Sequence, residues 1–236
     1  MQRYFCEYIN GDIVISNDDV FHITKVMRMK VGERFEINSN NQIHLCEVTS
    51  LNPFNYKIID INTENNEIDG YIRLLYCIPK GDKTDLVIQK STELGVSEIV
   101  LINSERSVAK IDSKNKDKKI ERFKKIIKEA SEQSKRTKLL KLNDVISFND
   151  ISKYPGDINL IAYEKSELNL EEVEEILHNA KGKTVNIIVG AEGGISLKEL
   201  EIAKKAGYKE ISLGKRILRS ETACIYILSL LSFYMD

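Results

Sequence analysis

The chain has 236 residues, 42% hydrophobic and 30% charged, and is therefore long enough to bury a sizeable core in one large domain or two smaller ones. Its formal net charge of −1 excludes nucleic-acid binding through overall basic charge, so such a partner would need a local basic patch. The four cysteines form no CxxC pair and no cluster with the three histidines, which predicts buried free thiols rather than a metal site.

Residues 1 to about 70 are predicted to be mainly β, because short apolar runs alternate with Gly, Asn and Asp turns. The runs are Arg3 to Ile9, Arg34 to Ile37, Ile43 to Thr49 and Tyr56 to Ile61. One helix interrupts them, since Ser16 and Asp19 form an N-capping signal and apolar residues follow at helical spacing. Its exposed side would carry basic residues, either as a solvated face or as ligand contacts: His22, Lys25, Arg28 and Lys30.

The polar segment Asn62 to Asp69 has no apolar periodicity and is predicted to link two domains, residues 1–70 and 71–236. Beyond it, strands alternate with helices, the pattern of an α/β fold with a parallel sheet and crossover helices. The predicted strands are Ile72 to Ile78, Glu98 to Ile102, Ile158 to Tyr163 and Val185 to Val189. The predicted helices are Lys83 to Leu94, Lys118 to Lys135 and Leu170 to Asn179.

A basic region lies within the second domain. Ser104 to Lys138 holds thirteen Lys or Arg against six Asp or Glu. A lysine-rich helix of this kind is commonly just a solvated face.

Two glycine turns follow consecutive strands near the C-terminus. Gly190, Gly193 and Gly194 follow the first strand, and Gly214 follows a second at Glu210 to Leu213. Ser196 and Glu199 predict a capping box for a helix from Leu197 to Ala206 between them. The spacing matches neither the dinucleotide fingerprint nor a P-loop. It favours a ligand pocket, with ordinary turn glycines as the alternative.

The last helix, Ala223 to Tyr234, is apolar almost all round, which predicts burial on more than one side. Its own domain would cover it, or its own domain together with a second subunit. The apolar stretch falls short of a bilayer span and no leader pattern begins the chain, so we expect a cytoplasmic protein without membrane contact.

GAEGGIS, LGKRILRSETA and the apolar helix after them resemble the signature of the SPOUT (α/β-knot) methyltransferases. More narrowly, they resemble the ribosomal RNA small subunit methyltransferase E family, which methylates N3 of a uridine. HITKVMRMKVGERFEI, ERSVAK and EASEQSKR resemble segments of the same family. This resemblance implies RNA contacts at the loop Arg106 to Ile111 and at the helix end at Arg136, and neutralisation of phosphates there would make RNA binding strongly dependent on salt. One departure is Ala191, where the family usually has proline, and this loosens the loop by restoring a free φ.

The resemblance implies a PUA-like β-barrel domain followed by an α/β domain with a C-terminal trefoil knot, and a homodimer with its active site near the interface. It also implies S-adenosyl-L-methionine as the cofactor, bound bent among three loops, and no metal. The residues carried over as cofactor-binding are Ala162, Tyr163, Val189, Gly190, Gly193, Gly194, Leu213, Gly214, Arg216, Ile217, Leu218 and Thr222.

The implied partner is ribosomal RNA in the small subunit, with phosphate contacts that position the RNA without reading its sequence. The residues proposed for these contacts are Arg3, Arg28, Lys30, Arg106 and Arg136. Arg219 is expected to stabilise negative charge on the uracil, and Glu221 either to accept the N3 proton or to orient Arg219. Arg216 and Glu192 are weaker candidates for these catalytic roles. The alternative for both is a surface ion pair or a charge at a helix N-terminus. Two other functions stay open: a methyltransferase acting on transfer RNA, and a non-catalytic RNA-binding or assembly factor.

Overall fold

The computed structural model describes residues 1–40, 42–107, 111, 116–166 and 170–236. They form two compact units. The first comprises Met1–Glu67 and Ser131–Lys138, and the second comprises Ile68–Ala130 and Leu139–Asp236. The chain first passes from one unit to the other close to the predicted linker. A single boundary near residue 70 does not account for Ser131–Lys138, which belongs to the first unit.

The first unit is built on a four-stranded sheet in the order β1-β4-β5-β6, with β1 parallel to β4 and the other pairs antiparallel. A two-stranded hairpin, β2-β3, accompanies it. The strands are β1 Arg3–Phe5, β2 Glu7–Ile9, β3 Asp12–Val14, β4 Arg34–Ser39, β5 Gln42–Leu51 and β6 Phe54–Asn62. The four predicted runs are confirmed as strands, the first of them split at Cys6, whereas β3 was not predicted.

The core of the first unit follows from the alternation of its strands. Phe35 and Ile37 of β4 and Cys46 and Val48 of β5 point to the same buried side, as a period of two residues requires. The predicted helix begins as expected, because Ser16 Oγ accepts from the Asp19 N–H at 3.1 Å. It is shorter than predicted: α1 Asn17–Phe21 gives way to a π-helical turn at His22–Val26.

Buried ion pairs hold the segment Ser131–Lys138 within the first unit. Arg3 is 2% exposed; its Nε lies 2.9 Å from Glu36 Oε2 and its Nη1 donates to the Lys135 carbonyl oxygen at 2.7 Å. Arg136 is 4% exposed and its Nη2 lies 2.5 Å from Glu67 Oε2. Both arginines were predicted to bind phosphate. The structure corrects that interpretation, because both guanidinium groups are buried and already paired with carboxylates.

The second unit is an α/β fold, as predicted, and its helices lie on both faces of the sheet. Its seven-stranded sheet is parallel throughout, in the order β10-β8-β7-β12-β11-β13, with β9 also paired to β8. The strands are β7 Tyr71–Cys77, β8 Glu98–Asn103, β9 Lys141–Leu142, β10 Ile146–Ser147, β11 Ile158–Ala162, β12 Thr184–Val189 and β13 Lys209–Ile211. The helices are α2 Lys83–Glu93, α3 Lys116–Gln133, α4 Leu170–His178, α5 Leu197–Lys205 and α6 Ser220–Met235. The short β9 and β10, and the 3-10 turn Phe148–Lys153, were not predicted.

Each face of this sheet has its own apolar core. Alternate residues of one strand divide between them: Leu74 and Tyr76 of β7 pack with α2, α3, α4 and α6, whereas Leu75 and Cys77 pack with α5 and the 3-10 turn. Strands buried on both faces explain the near-continuous apolar runs in the sequence. Within the described ranges, no helix is both long and apolar enough to cross a bilayer.

Candidate functional site

Three loops meet at one edge of the parallel sheet. The strands β12, β11 and β13 are neighbours in the sheet order, so the loops that leave their carboxyl ends lie side by side. They enclose a cavity of about 440 Å³. It is lined by Lys83, Ala162, Tyr163, Glu164, Val189, Gly190, Ala191, Glu192, Gly193, Gly194, Ile195, Ser212, Leu213, Gly214, Arg216, Ile217, Leu218, Arg219, Ser220 and Ala223. Every residue predicted to bind a cofactor lies on this wall except Thr222, which is exposed on the first turn of α6.

The loop after β12 is a tight turn that presents main chain to the cavity. Its ends are joined by the Gly194 N–H, which donates to the Ala191 carbonyl oxygen at 2.9 Å. A Cβ added at Gly190 would lie 3.1 Å from the Gly194 carbonyl carbon, so the turn has little room for a side chain there. Ala191 is buried and its carbonyl oxygen accepts the Gly194 N–H, so the turn closes with alanine in place of the proline usual in the family.

Arg106 fastens the same loop from the other side. Its Nη1 donates to the carbonyl oxygens of Gly193 at 3.0 Å and Ile195 at 3.3 Å. A Cβ added at Gly193 would lie 2.9 Å from the Arg106 Cβ, so only glycine permits this approach. The next residues cap α5 as predicted, with both bonds of the Ser196 and Glu199 capping box present.

An ion-pair cluster lies between this loop and α6. Lys83 Nζ is 2.9 Å from Glu192 Oε1 and 3.6 Å from Glu221 Oε2. Burial alone would raise the pKa of Glu192, but Lys83 and the Lys80 N–H hold it below its ordinary value. No hydrogen bond joins Glu221 to Arg219 in the described part of the chain, where Glu221 Oε2 is buried without any hydrogen-bond partner. Glu221 thus faces Lys83.

The first turn of α6 brings a cation and a hydroxyl to the cavity. Arg219 is the N-cap residue of α6, and its side chain is exposed. Ser220 is buried; its Oγ donates to the Gly190 carbonyl oxygen at 2.5 Å and lies 3.1 Å from the Tyr76 hydroxyl oxygen. The loop before α6 is also open, since Ile217 is 87% exposed. This end of the cavity is therefore open to solvent and carries the exposed Arg219.

The remaining predicted RNA contacts divide between the two units. Arg28 and Lys30 are exposed on the first unit, just after the π-helical turn. Arg106 is exposed on the second unit, although its Nη1 already donates to the glycine loop. The rest of that predicted loop, Val108 to Lys110, lies outside the described residues.

Among the cavity residues that were not predicted from the sequence, Lys83 and Ser220 are the two polar ones whose side chains connect elements of the cavity wall. Lys83 appeared as the first residue of a predicted helix, without a pattern to single out its charge. Ser220 stands inside the LRSETA segment, where no sequence pattern distinguishes it from its charged neighbours. Across the described residues, no three His, Cys, Asp or Glu side chains gather in a way that could hold a metal ion.

Comparisons with known proteins agree with this architecture. A family model of the RNA methyltransferase domain matches residues 66–232, and one of the RNA methyltransferase PUA domain matches residues 15–62. The ribosomal RNA small subunit methyltransferase E of Bacillus subtilis is 35% identical, covering 100% of this chain and 98% of its own length.

Two solved structures share the fold over nearly the whole chain. The putative methyltransferase of Legionella pneumophila, in complex with its bound cofactor SAM, has a TM-score of 0.87 at 28% identity, covering 98% of this chain and 96% of that one. The ribosomal RNA small subunit methyltransferase E of Neisseria gonorrhoeae, bound to S-adenosyl methionine, has a TM-score of 0.85 at 26% identity, covering 99% and 97%. The chain therefore belongs to the ribosomal RNA small subunit methyltransferase E family.

Proposed function

We propose that this chain transfers a methyl group from S-adenosyl-L-methionine to N3 of a uridine in the ribosomal RNA of the small subunit, and that it works in the cytoplasm. The observation that carries the proposal is the cavity at the carboxyl ends of β11, β12 and β13, with Arg219 at its wall. The Legionella and Neisseria relatives have S-adenosyl methionine bound, which supports the same cofactor here.

The residues present fit this cofactor. Gly194 and Gly214 have φ values of +65° and +106°, and a Cβ at Gly214 would meet no atom within 4 Å, so the loop leaves space that a side chain would fill. The aliphatic side chains of Leu213, Ile217 and Leu218 suit the faces of an adenine ring. Main-chain groups of the glycine loop suit the polar edge of the base and the amino-acid part. A volume of about 440 Å³ lies within the range of small-molecule sites.

When bound, the cofactor supplies an electrophilic methyl group on a sulfonium. Uridine N3 carries a proton and is a poor nucleophile until that proton leaves. Arg219 is permanently charged and lies at the cavity wall, where it would stabilise the negative charge that develops on the uracil as N3 loses its proton to water. The methyl–sulfur bond then breaks as the methyl–N3 bond forms. Glu221 does not line the cavity, so we assign it a positioning role rather than that of the base.

RNA binding rests on exposed basic residues of both units in this proposal. Arg28, Lys30 and Arg106 are exposed and would contact phosphates, and the target base would leave its stack to reach the methyl group. The barrel form of the PUA domain and the trefoil knot of the methyltransferase domain are also part of the proposal. So is a homodimer, which the exposed aromatic residues Tyr226 and Phe233 of α6 support.

Substitution of Arg219 by Ala tests the assigned chemistry. Since the cofactor is held mainly by main chain, we expect Arg219→Ala to bind S-adenosylmethionine within about threefold of the unaltered protein. Methyl transfer to small ribosomal subunits should fall by about a hundredfold or more, as when one preorganised charge-stabilising group is lost. Calorimetry measures the first quantity, and transfer of labelled methyl groups the second. Parallel loss of both would contradict the role of Arg219.

The two alternatives predict different results in the same experiments. A non-catalytic RNA-binding factor would give no heat with submillimolar S-adenosylmethionine. A transfer RNA methyltransferase would bind the cofactor but would label transfer RNA and leave small subunits unlabelled.

A further inference from the structure

Lys83 occupies a position that the proposed chemistry does not yet use. It is the first residue of α2 and its side chain, about one-third exposed, lines the cavity. Its ammonium contacts carboxylates from two other elements, Glu192 in the loop after β12 and Glu221 in the first turn of α6. One side chain therefore connects three elements of the cavity wall.

Lys83 supplies the positive charge that both carboxylates of this cluster contact. Glu192 also accepts the Lys80 N–H, at 3.2 and 3.3 Å, which anchors its loop to the start of α2. Glu221 Oε2 is buried and receives no hydrogen bond from the described residues, which leaves the Lys83 ammonium as its nearest described cation. Removal of the ammonium would leave two carboxylates of like charge close together beside the cavity.

The position of these carboxylates ties the cofactor loop to the reactive end of the site. Glu192 lies between Ala191 and Gly193 in the turn that presents main chain to the cavity. Glu221 lies two residues after Arg219. The hydrogen bond from Ser220 to the Gly190 carbonyl oxygen joins the same two segments, but it is neutral and lies on the buried side.

We infer that Lys83 is a positioning residue of the methyl-transfer site, which sets the distance between the cofactor loop and the first turn of α6 by bridging Glu192 and Glu221. The inference rests on the proposed function, in which the cavity holds S-adenosylmethionine. Lys83 acts through its two carboxylate partners and need not touch the cofactor or the base.

Calorimetry with S-adenosylmethionine and S-adenosylhomocysteine tests this role without relying on turnover. We expect Lys83→Met to weaken binding of both about fivefold to tenfold, the scale of two partly exposed ion pairs, and Lys83→Arg to restore most of the affinity. Lys90→Met is the matched control, because Lys90 lies on the same helix with similar exposure and pairs only locally with Glu93 at 2.8 Å. It should leave both affinities unchanged.

A double-mutant cycle separates positioning from a general effect on stability. Glu192→Gln should weaken S-adenosylmethionine binding on its own. In the double variant with Lys83→Met, the loss of affinity should be smaller than the product of the two single losses, because no unpaired carboxylate remains at position 192. Thermal unfolding recorded in parallel identifies any change that only reflects folding. Lys83→Gln replaces Lys83→Met should the latter not fold.

Failure of the positioning role and failure of the proposed function give different results in these experiments. Unchanged affinities in both neutral Lys83 variants, or effects of Lys83 and Glu192 that simply multiply, would overturn the positioning role. Absence of binding by the unaltered protein would instead overturn the proposed function itself.

Discussion

At the scale of single residues, glycine conformation decides how the cavity wall is built. Gly214 has a φ of +106° and lies two residues after Ser212, whose hydroxyl oxygen accepts the Gly214 N–H at 3.3 Å. Residues with a side chain rarely adopt such an angle, so this turn depends on glycine. Gly207, after α5, has a comparable φ of +84° but does not line the cavity. The two glycines thus share a positive φ and differ in position.

This pair yields a matched prediction. Gly214→Ala and Gly207→Ala should each lower the free energy of unfolding by about 1–2 kcal/mol, because alanine is strained at positive φ. Only Gly214→Ala should also weaken S-adenosylmethionine binding, by about tenfold, since its turn forms part of the cavity wall. Urea unfolding and calorimetry measure the two effects. Equal affinities in the two variants would remove Gly214 from the cofactor site.

Sequence patterns identified the glycine loops because their signal is local, but they could not identify the partners of single charges. Asn186 illustrates the limit. It is fully buried within an apolar strand. Its Oδ1 accepts a hydrogen bond from Arg73 Nη1 at 2.9 Å, and its Nδ2 donates to the Tyr154 carbonyl oxygen at 2.7 Å. These partners lie far away in the chain, as do those of Arg3 and Arg136, so exposure and ion pairing required the fold.

At the scale of elements, the partly buried carboxylate of Glu67 holds the segment after α3 within the first unit. Glu67 accepts the N–H groups of Thr137 and Lys138 at 2.8 and 2.9 Å, and pairs with Arg136. Burial alone would raise the pKa of Glu67, but these partners hold it below the ordinary value of 4.5. The ionised Glu67 carboxylate therefore stabilises the folded state fully above pH 4.5. This contribution is lost as the pH falls through the lower pKa that Glu67 has in the folded state.

Glu67→Gln should lower the free energy of unfolding of the first unit by about 3 kcal/mol at pH 7, because it removes the carboxylate that pairs with the buried Arg136 guanidinium at 2.5 Å. The variant should also lose less stability than the unaltered protein on going from pH 7 to pH 4. Urea unfolding followed by circular dichroism at both pH values checks each point. Glu47→Gln, which removes an exposed pair with Lys57, is the control and should change little. A Glu67 variant as stable as this control would contradict the account.

Helices and strands were predicted well where the apolar pattern was long, as in β7, α2 and β12. The two-residue strands β9 and β10 were missed because so short a run carries no periodicity. The change from α to π geometry at His22–Val26 was missed for a different reason, since apolar residues at helical spacing fit both forms.

At the scale of the whole molecule, α6 has a buried and an exposed apolar side. Ile227, Leu228 and Leu231 are fully buried in the core of the second unit, whereas Tyr226 is 42% and Phe233 is 76% exposed. These two aromatic residues are seven positions apart and so lie on the same side of the helix. The sequence predicted a helix apolar all round, but it could not tell which side faces its own core.

The proposed homodimer predicts that the exposed side is covered by a second copy. Tyr226→Glu combined with Phe233→Glu should convert the dimer to a monomer in sedimentation velocity, because charges would be buried in the apolar interface. Leu197→Glu, at an exposed position on α5, is the control and should remain dimeric. A monomeric unaltered protein would refute the proposed dimer.

The most direct test of the proposed function compares ribosomal RNA from a strain that lacks this protein with RNA from strains complemented by the unaltered protein or by Arg219→Ala. Methylation at N3 blocks base pairing, so it stops reverse transcription at one uridine, and nucleoside mass analysis identifies the product. We predict that 3-methyluridine disappears from small-subunit RNA on deletion, returns with the unaltered protein and does not return with Arg219→Ala. Small-subunit RNA that keeps its 3-methyluridine after deletion, or a loss confined to transfer RNA, would contradict the proposal.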